Sequence, residues 1–150
     1  MTVPVGSPVT GRVVPLTEVP DPVFAEAMVG PGVAVIPAAE PADAVAPVAG
    51  TIATLHPHAF VVATESGKAV LVHLGIDTVK LQGEGFTLHV AKGDTVTAGQ
   101  PVVGWNPAAV EAAGYATVCP VIALDAGADA VGAPHGQGPV AVGDQLFEWR

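Results

Sequence analysis

His56, His58 and His73 supply three of the chain's five histidines and stand in two short apolar stretches, LHPHAFVV at 55–62 and VLVHLGIDTV at 70–79. Two neighbouring imidazoles lend themselves to three kinds of chemistry. They can bind zinc with a third ligand such as Asp77, pass a proton, or act as a nucleophile and its helper. Spacing alone leaves all three open. A single strand histidine more often just completes a hydrogen-bond network, but two among apolar neighbours would be a costly way to finish a surface.

The elements that must hold these residues follow from the alternation of an extended chain. In a strand over 70–74, Val70, Val72 and Leu74 share one face, while Leu71 and His73 share the other. ESGKA at 65–69 reads as a turn, which sets residues near 58–62 across from residues near 72–76. His58 and His73 then become neighbours on one face. His56 shares strand parity with His58 and is expected at the rim, whereas His89 and His135 lack a comparable setting and read as structural or solvated. GEG at 83–85 reads as a turn, and Cys119 as an inert buried thiol.

The rest of the chain bounds the fold. Its 150 residues fit one domain over 1–150, and half are hydrophobic while only 5% are aromatic, so Val, Ala, Leu and Ile must build the core. Glycines and prolines punctuate the whole length, as in short strands joined by turns. SPVTGRVVPL at 7–16 resembles APVAGTIATL at 46–55, and KGDTVTAGQPVVGW at 92–105 is echoed by VGDQLFEW at 142–149. The expected fold is all-β: an antiparallel sandwich with internal pseudo-duplication and one or two very short helices. NPAAVEAAG at 106–114, with Asn106 as N-cap, Pro107 in the first position and Gly114 as stop, is one such helix, and 20–30 holds another turn.

Net charge is −9, and the five basic residues are scattered, which excludes a phosphate-tracking nucleic-acid surface and favours a basic protein partner. With one cysteine no internal disulfide can form. No apolar run reaches membrane-span length and no leader pattern opens the chain, so a cytoplasmic location is expected.

PHAF at 57–60, VLVHLGIDTV at 70–79 and KLQGEGF at 80–86 together resemble the glucose-type IIA component of the phosphoenolpyruvate-dependent sugar phosphotransferase system. The likeness extends through 7–35, APVAGTI and KGDTVTAGQPVV. It implies that His73 accepts a phosphoryl group at Nε2 from the phosphocarrier HPr and passes it to a cysteine of the IIB component. It further implies that His58 stabilises the phosphoryl group and that the backbone carbonyl of Gly75 holds the other nitrogen of His73. Leu71, Phe24 and Phe60 would form an apolar collar, and with Asp21 and Asp77 they would meet HPr or the IIB/IICB permease. No cofactor is required on this reading, zinc could still sit at His58 and His73, and the membrane is approached only through the permease. His56 departs from the family pattern, replacing an expected hydroxyl.

Two rivals share parts of the pattern. A LytM-like zinc peptidase would use His58, His73 and Asp77, although its motifs run in the opposite chain order. A biotinyl or lipoyl carrier matches locally but needs a lysine between methionines, and neither Met1 nor Met28 flanks one.

Overall fold

The structure, a computed structural model, describes residues 3–150. Its first half contributes β1 (Val3–Gly6), β2 (Gly11–Val14), β3 (Gly32–Pro37), β4 (Ala42–Val45), β5 (Gly50–His56), β6 (Ala59–Ala63) and β7 (Ala69–His73). Its second half adds β8 (Phe86–Leu88), β9 (Thr95–Val96), β10 (Pro101–Trp105), β11 (Cys119–Ala123), β12 (Val131–Gly132), β13 (Gly138–Val140) and β14 (Gln145–Trp149). All strand pairings among the described residues are antiparallel.

An eight-stranded sheet runs β13-β2-β3-β11-β7-β6-β5-β9, and two three-stranded sheets run β1-β14-β12 and β4-β10-β8. Read from its two ends, the large sheet repeats itself. The repeated Pro-Val-x-Gly segments lead into β2 and β5, each second from an edge. The glycines recur because a Cβ at Gly11 would stand 2.0 Å from the Ile36 carbonyl oxygen, and one at Gly50 would stand 2.1 Å from that of Ala63. The Gly-Asp turns match as well. Asp94 accepts from the Ala91 N–H at 2.9 Å, and Asp144 accepts from the Ala141 N–H at 3.0 Å. The duplicated sandwich expected from the sequence is therefore present, and its two repeats are built by the same local contacts.

Among the described residues the α-helices are α1 (Pro22–Ala25) and α2 (Pro107–Ala112). Asn106 caps α2 by accepting from the Ala108 N–H at 3.1 Å, and Pro107 follows at the first helical position, where its missing N–H costs nothing.

The large sheet buries both faces. On one side Val70, Val72, Val121, Val33 and Val35 join the main cluster with Phe60, Phe147 and Trp149. On the other side Ala34, Ile122, Leu16, Phe24 and Ile76 form a smaller cluster, against which Leu71 packs. His73 and Leu71 lie on the side of the smaller cluster, as strand parity requires.

Candidate functional site

The site is built around the end of β7. β6 and β7 pair Ala59 with His73 and Phe60 with Val72, and the Leu74 N–H continues the ladder by donating to the His58 carbonyl at 2.7 Å. His58 and Pro57 form the turn between β5 and β6, and β5 ends at His56, which pairs with Ala59. His56 and His58 therefore do not share one strand, contrary to the sequence reading. A bulge between Ile52 and Thr54 is what brings His56 to the site. Ile52 faces the core, so strict alternation would send His56 there too. The extra residue turns Leu55 inward and His56 outward.

Four rings follow one another across this face. Phe24 and His73 have centroids 5.2 Å apart and tilted by 55°. His73 and His58 meet edge-on at 5.3 Å and 69°, and His58 lies nearly parallel to His56 at 5.6 Å and 21°. Phe24 reaches His73 from α1, whose N-cap is Asp21: the carboxylate accepts from the Val23 N–H at 2.9 Å. The sequence reading gave Asp21 as a partner contact and missed this capping role, although Asp-Pro before an apolar pair carries the signal.

His73 Nδ1 lies 2.5 Å from the Gly75 carbonyl oxygen. A carbonyl can only accept, so Nδ1 carries the proton and Nε2 keeps its lone pair. Gly75 makes this return possible with φ of +80°. A Cβ there would stand 2.7 Å from both the Ala116 carbonyl oxygen and the Thr78 methyl group. Thr78, 1% exposed, donates its hydroxyl to the Leu74 carbonyl at 2.7 Å. It locks the loop from beneath and was also missed by the sequence reading; Leu74 and Thr78, four residues apart, carry the faint signal.

Burial pulls the pKa of His73 down, while the Gly75 carbonyl, Asp21 and Asp77 pull the other way. Burial is also the main reason that His58 is lowered from 6.5 to about 4, with the nearby His73 and then His56 adding to it. The pair is thus held neutral near pH 7, which preserves a nucleophilic imidazole nitrogen.

Phe60 corrects the expected collar: it is 0% exposed and lies in the main core, because it pairs with Val72 and shares that strand's inward face. Phe24, 7% exposed, and the half-buried Leu71 do lie on the histidine face. Asp77 is exposed, in a left-handed conformation with φ of 61°. Among the described residues no group of three or more His, Cys, Asp or Glu side chains is placed to hold a metal ion. The zinc set of His58, His73 and Asp77 on which the peptidase reading depends is not formed. Cys119 is buried beside the site, and desolvation pushes its thiol up to about 12.

His89 is elsewhere, paired with Asp43 at 2.8 Å across β10. His135 contacts the Gly136 carbonyl at 2.6 Å in its own loop. Neither joins the three-histidine face.

Comparisons with known proteins point the same way as this geometry. The family model described as phosphoenolpyruvate-dependent sugar phosphotransferase system, EIIA 1, matches residues 3–128. A protein of Oceanobacillus iheyensis named PTS system glucose-specific EIIA component is 42% identical over 118 residues, which is 77% of this chain and 70% of that relative. The solved structure of glucose permease IIA from Mycoplasma capricolum is similar at a TM-score of 0.92 and 34% identity, covering 100% of this chain and 97% of its own.

Proposed function

The chain belongs to the EIIA 1 family of the phosphoenolpyruvate-dependent sugar phosphotransferase system, and from that premise we propose that His73 is the residue that carries its phosphoryl group. The protein is a phosphocarrier in sugar transport and works with phosphotransfer partners of that system. Phospho-HPr is the donor and a cysteine of the IIB component the acceptor.

The single observation that carries the assignment is the 2.5 Å contact between His73 Nδ1 and the Gly75 carbonyl. It fixes the tautomer in which Nε2 is the free nucleophile. As the new P–N bond forms at Nε2 and the bond to the donor breaks, the ring becomes positively charged, and the same carbonyl steadies that charge through the Nδ1–H. His58, 5.3 Å away edge-on, serves as the hydrogen-bond donor to the phosphoryl oxygens. Phe24 and Leu71 limit water and so slow hydrolysis of the phosphohistidine. Asp21 and Asp77 flank the nucleophile and face basic partner surfaces, in keeping with a net charge of −9.

No helix of the described residues is long and apolar enough to cross a membrane. We place the protein at the cytoplasmic side of the permease, where phospho-HPr is made. Transfer of label from phosphoenolpyruvate through Enzyme I and HPr, read by mass spectrometry under alkaline conditions that preserve phosphohistidine, tests the assignment. One phosphoryl group on His73 is expected. Label that persists in His73→Gln overturns it.

A further inference from the structure

His56 is the one member of the ring series to which the phosphoryl-transfer chemistry gives no task. Its position is nevertheless closely specified. The bulge between Ile52 and Thr54 turns it to this face. Pro57 then restricts the backbone of His56 to extended conformations and fixes its own φ, so the turn delivers His58 directly above it. A Cβ on Gly83 would lie 3.4 Å from Pro57 Cγ, so the segment after Leu81 backs the proline. The two imidazoles end 5.6 Å apart with their planes within 21°.

We infer that His56 is a positioning residue for phosphoryl transfer: its ring stacks on His58 and keeps that imidazole turned edge-on to His73. The inference rests on the assignment of His73 as the phosphoryl carrier. Without a flat neighbour, His58 sits in a two-residue turn with one side open to solvent, and its ring can rotate about χ2, a soft torsion for an aromatic side chain. A donor that must meet phosphoryl oxygens at hydrogen-bond distance loses effectiveness when its plane wanders.

The same stack couples the two rings electrically. A proton on His56 opposes a proton on His58, and this repulsion is among the causes that hold His58 low. Other charges bear on the pair: His73 lies beyond His58, Asp21 and Asp77 act on His73, Glu84 belongs to the segment that backs Pro57, and Lys80 lies in the turn just before it. None of these has the parallel ring contact that His56 makes.

The experiment compares the wild type with His56→Gln and His56→Phe. His56 is exposed, so both variants are expected to fold. Two readouts are needed: the rate of phosphoryl transfer from phospho-HPr, and the titration of the His58 ring followed by NMR in the unphosphorylated protein. His56→Gln should slow transfer by about three- to tenfold, and His56→Phe, which restores a flat ring, should recover most of that loss. Both variants remove the neighbouring proton site, so both should shift the His58 titration upward. Transfer in His56→Gln equal to wild type, absence of recovery in His56→Phe, or an unmoved His58 titration would each overturn the role. Loss of all label in His73→Gln run alongside keeps a failure here separate from a failure of the carrier assignment.

Discussion

Two histidines of this fold lean on an oxygen across a glycine, and they do different work. His73 Nδ1 meets the Gly75 carbonyl at 2.5 Å, whereas His89 Nε2 meets the Asp43 carboxylate at 2.8 Å above Gly104. A carbonyl accepts the Nδ1–H without supplying a full charge, burial holds the imidazole neutral, and its second nitrogen is left free to attack. A carboxylate makes an ion pair once the ring is protonated, so the second pair acts as a clasp that ties β4 to the end of β8 over the middle strand. The surroundings follow the same division. His73 sits between the rings of Phe24 and His58, while His89 and Asp43 are 38% and 47% exposed and border an open groove of about 530 Å³. An imidazole is shaped into a nucleophile by what its other nitrogen touches, more than by the presence of a nearby polar partner.

The largest expected effect breaks the comparison outright: His73→Gln abolishes acceptance of the phosphoryl group, and His89→Gln leaves it unchanged, both read by mass of the labelled protein. Next, His58→Gln should slow transfer from phospho-HPr by about 10- to 100-fold, while Asp43→Asn leaves the rate alone. A slow Asp43→Asn would show that the clasp reaches the site.

The two glycines sharpen the contrast in stability. At Gly75 an alanine must adopt φ near +80° and press on a backbone carbonyl and the buried Thr78, which should cost roughly 2–4 kcal/mol. At Gly104 the new methyl would stand 3.0 Å from Asp43 Oδ1 and from His89 Nε2, the ends of two exposed side chains that can swing away. There the cost should be about 0–1 kcal/mol. Chemical denaturation of the two variants measures both, and equal costs would refute the distinction.

The smallest effect is in pH dependence. The folded chain resists protonating His58 until about pH 4, whereas the unfolded chain accepts that proton near 6.5. Between those values the unfolded state binds more protons, so stability is highest above the window and falls as pH drops through it. His58→Gln should flatten this segment of the stability profile relative to wild type, and His89→Gln serves as the matched control.

What could be read from the residues alone divides along physical lines. Alternation in 70–74 correctly separates Val70, Val72 and Leu74 from Leu71 and His73, because one buried face fixes parity in a short strand. The repeated Pro-Val-x-Gly and Gly-Asp segments disclose the duplication because each meets the same steric and turn requirement twice. Register to within a residue is not legible, however, and Phe60 shows the consequence: one step from Ala59, it faces the core. Nor does composition reveal the extra residue in β5 that brings His56 outward. The His89 and Asp43 pair spans 46 residues of sequence, a separation over which spacing carries no signal.

The edges of the large sheet bear on how partners can approach. β9 offers two residues, and β13 offers three, one of them Pro139, which has no N–H to give. Strand addition therefore has little ladder to extend at either side. On the proposed reading, a partner of the large sheet docks on its face, through side chains around the histidines, and so meets the chemical state of the site in the act of docking.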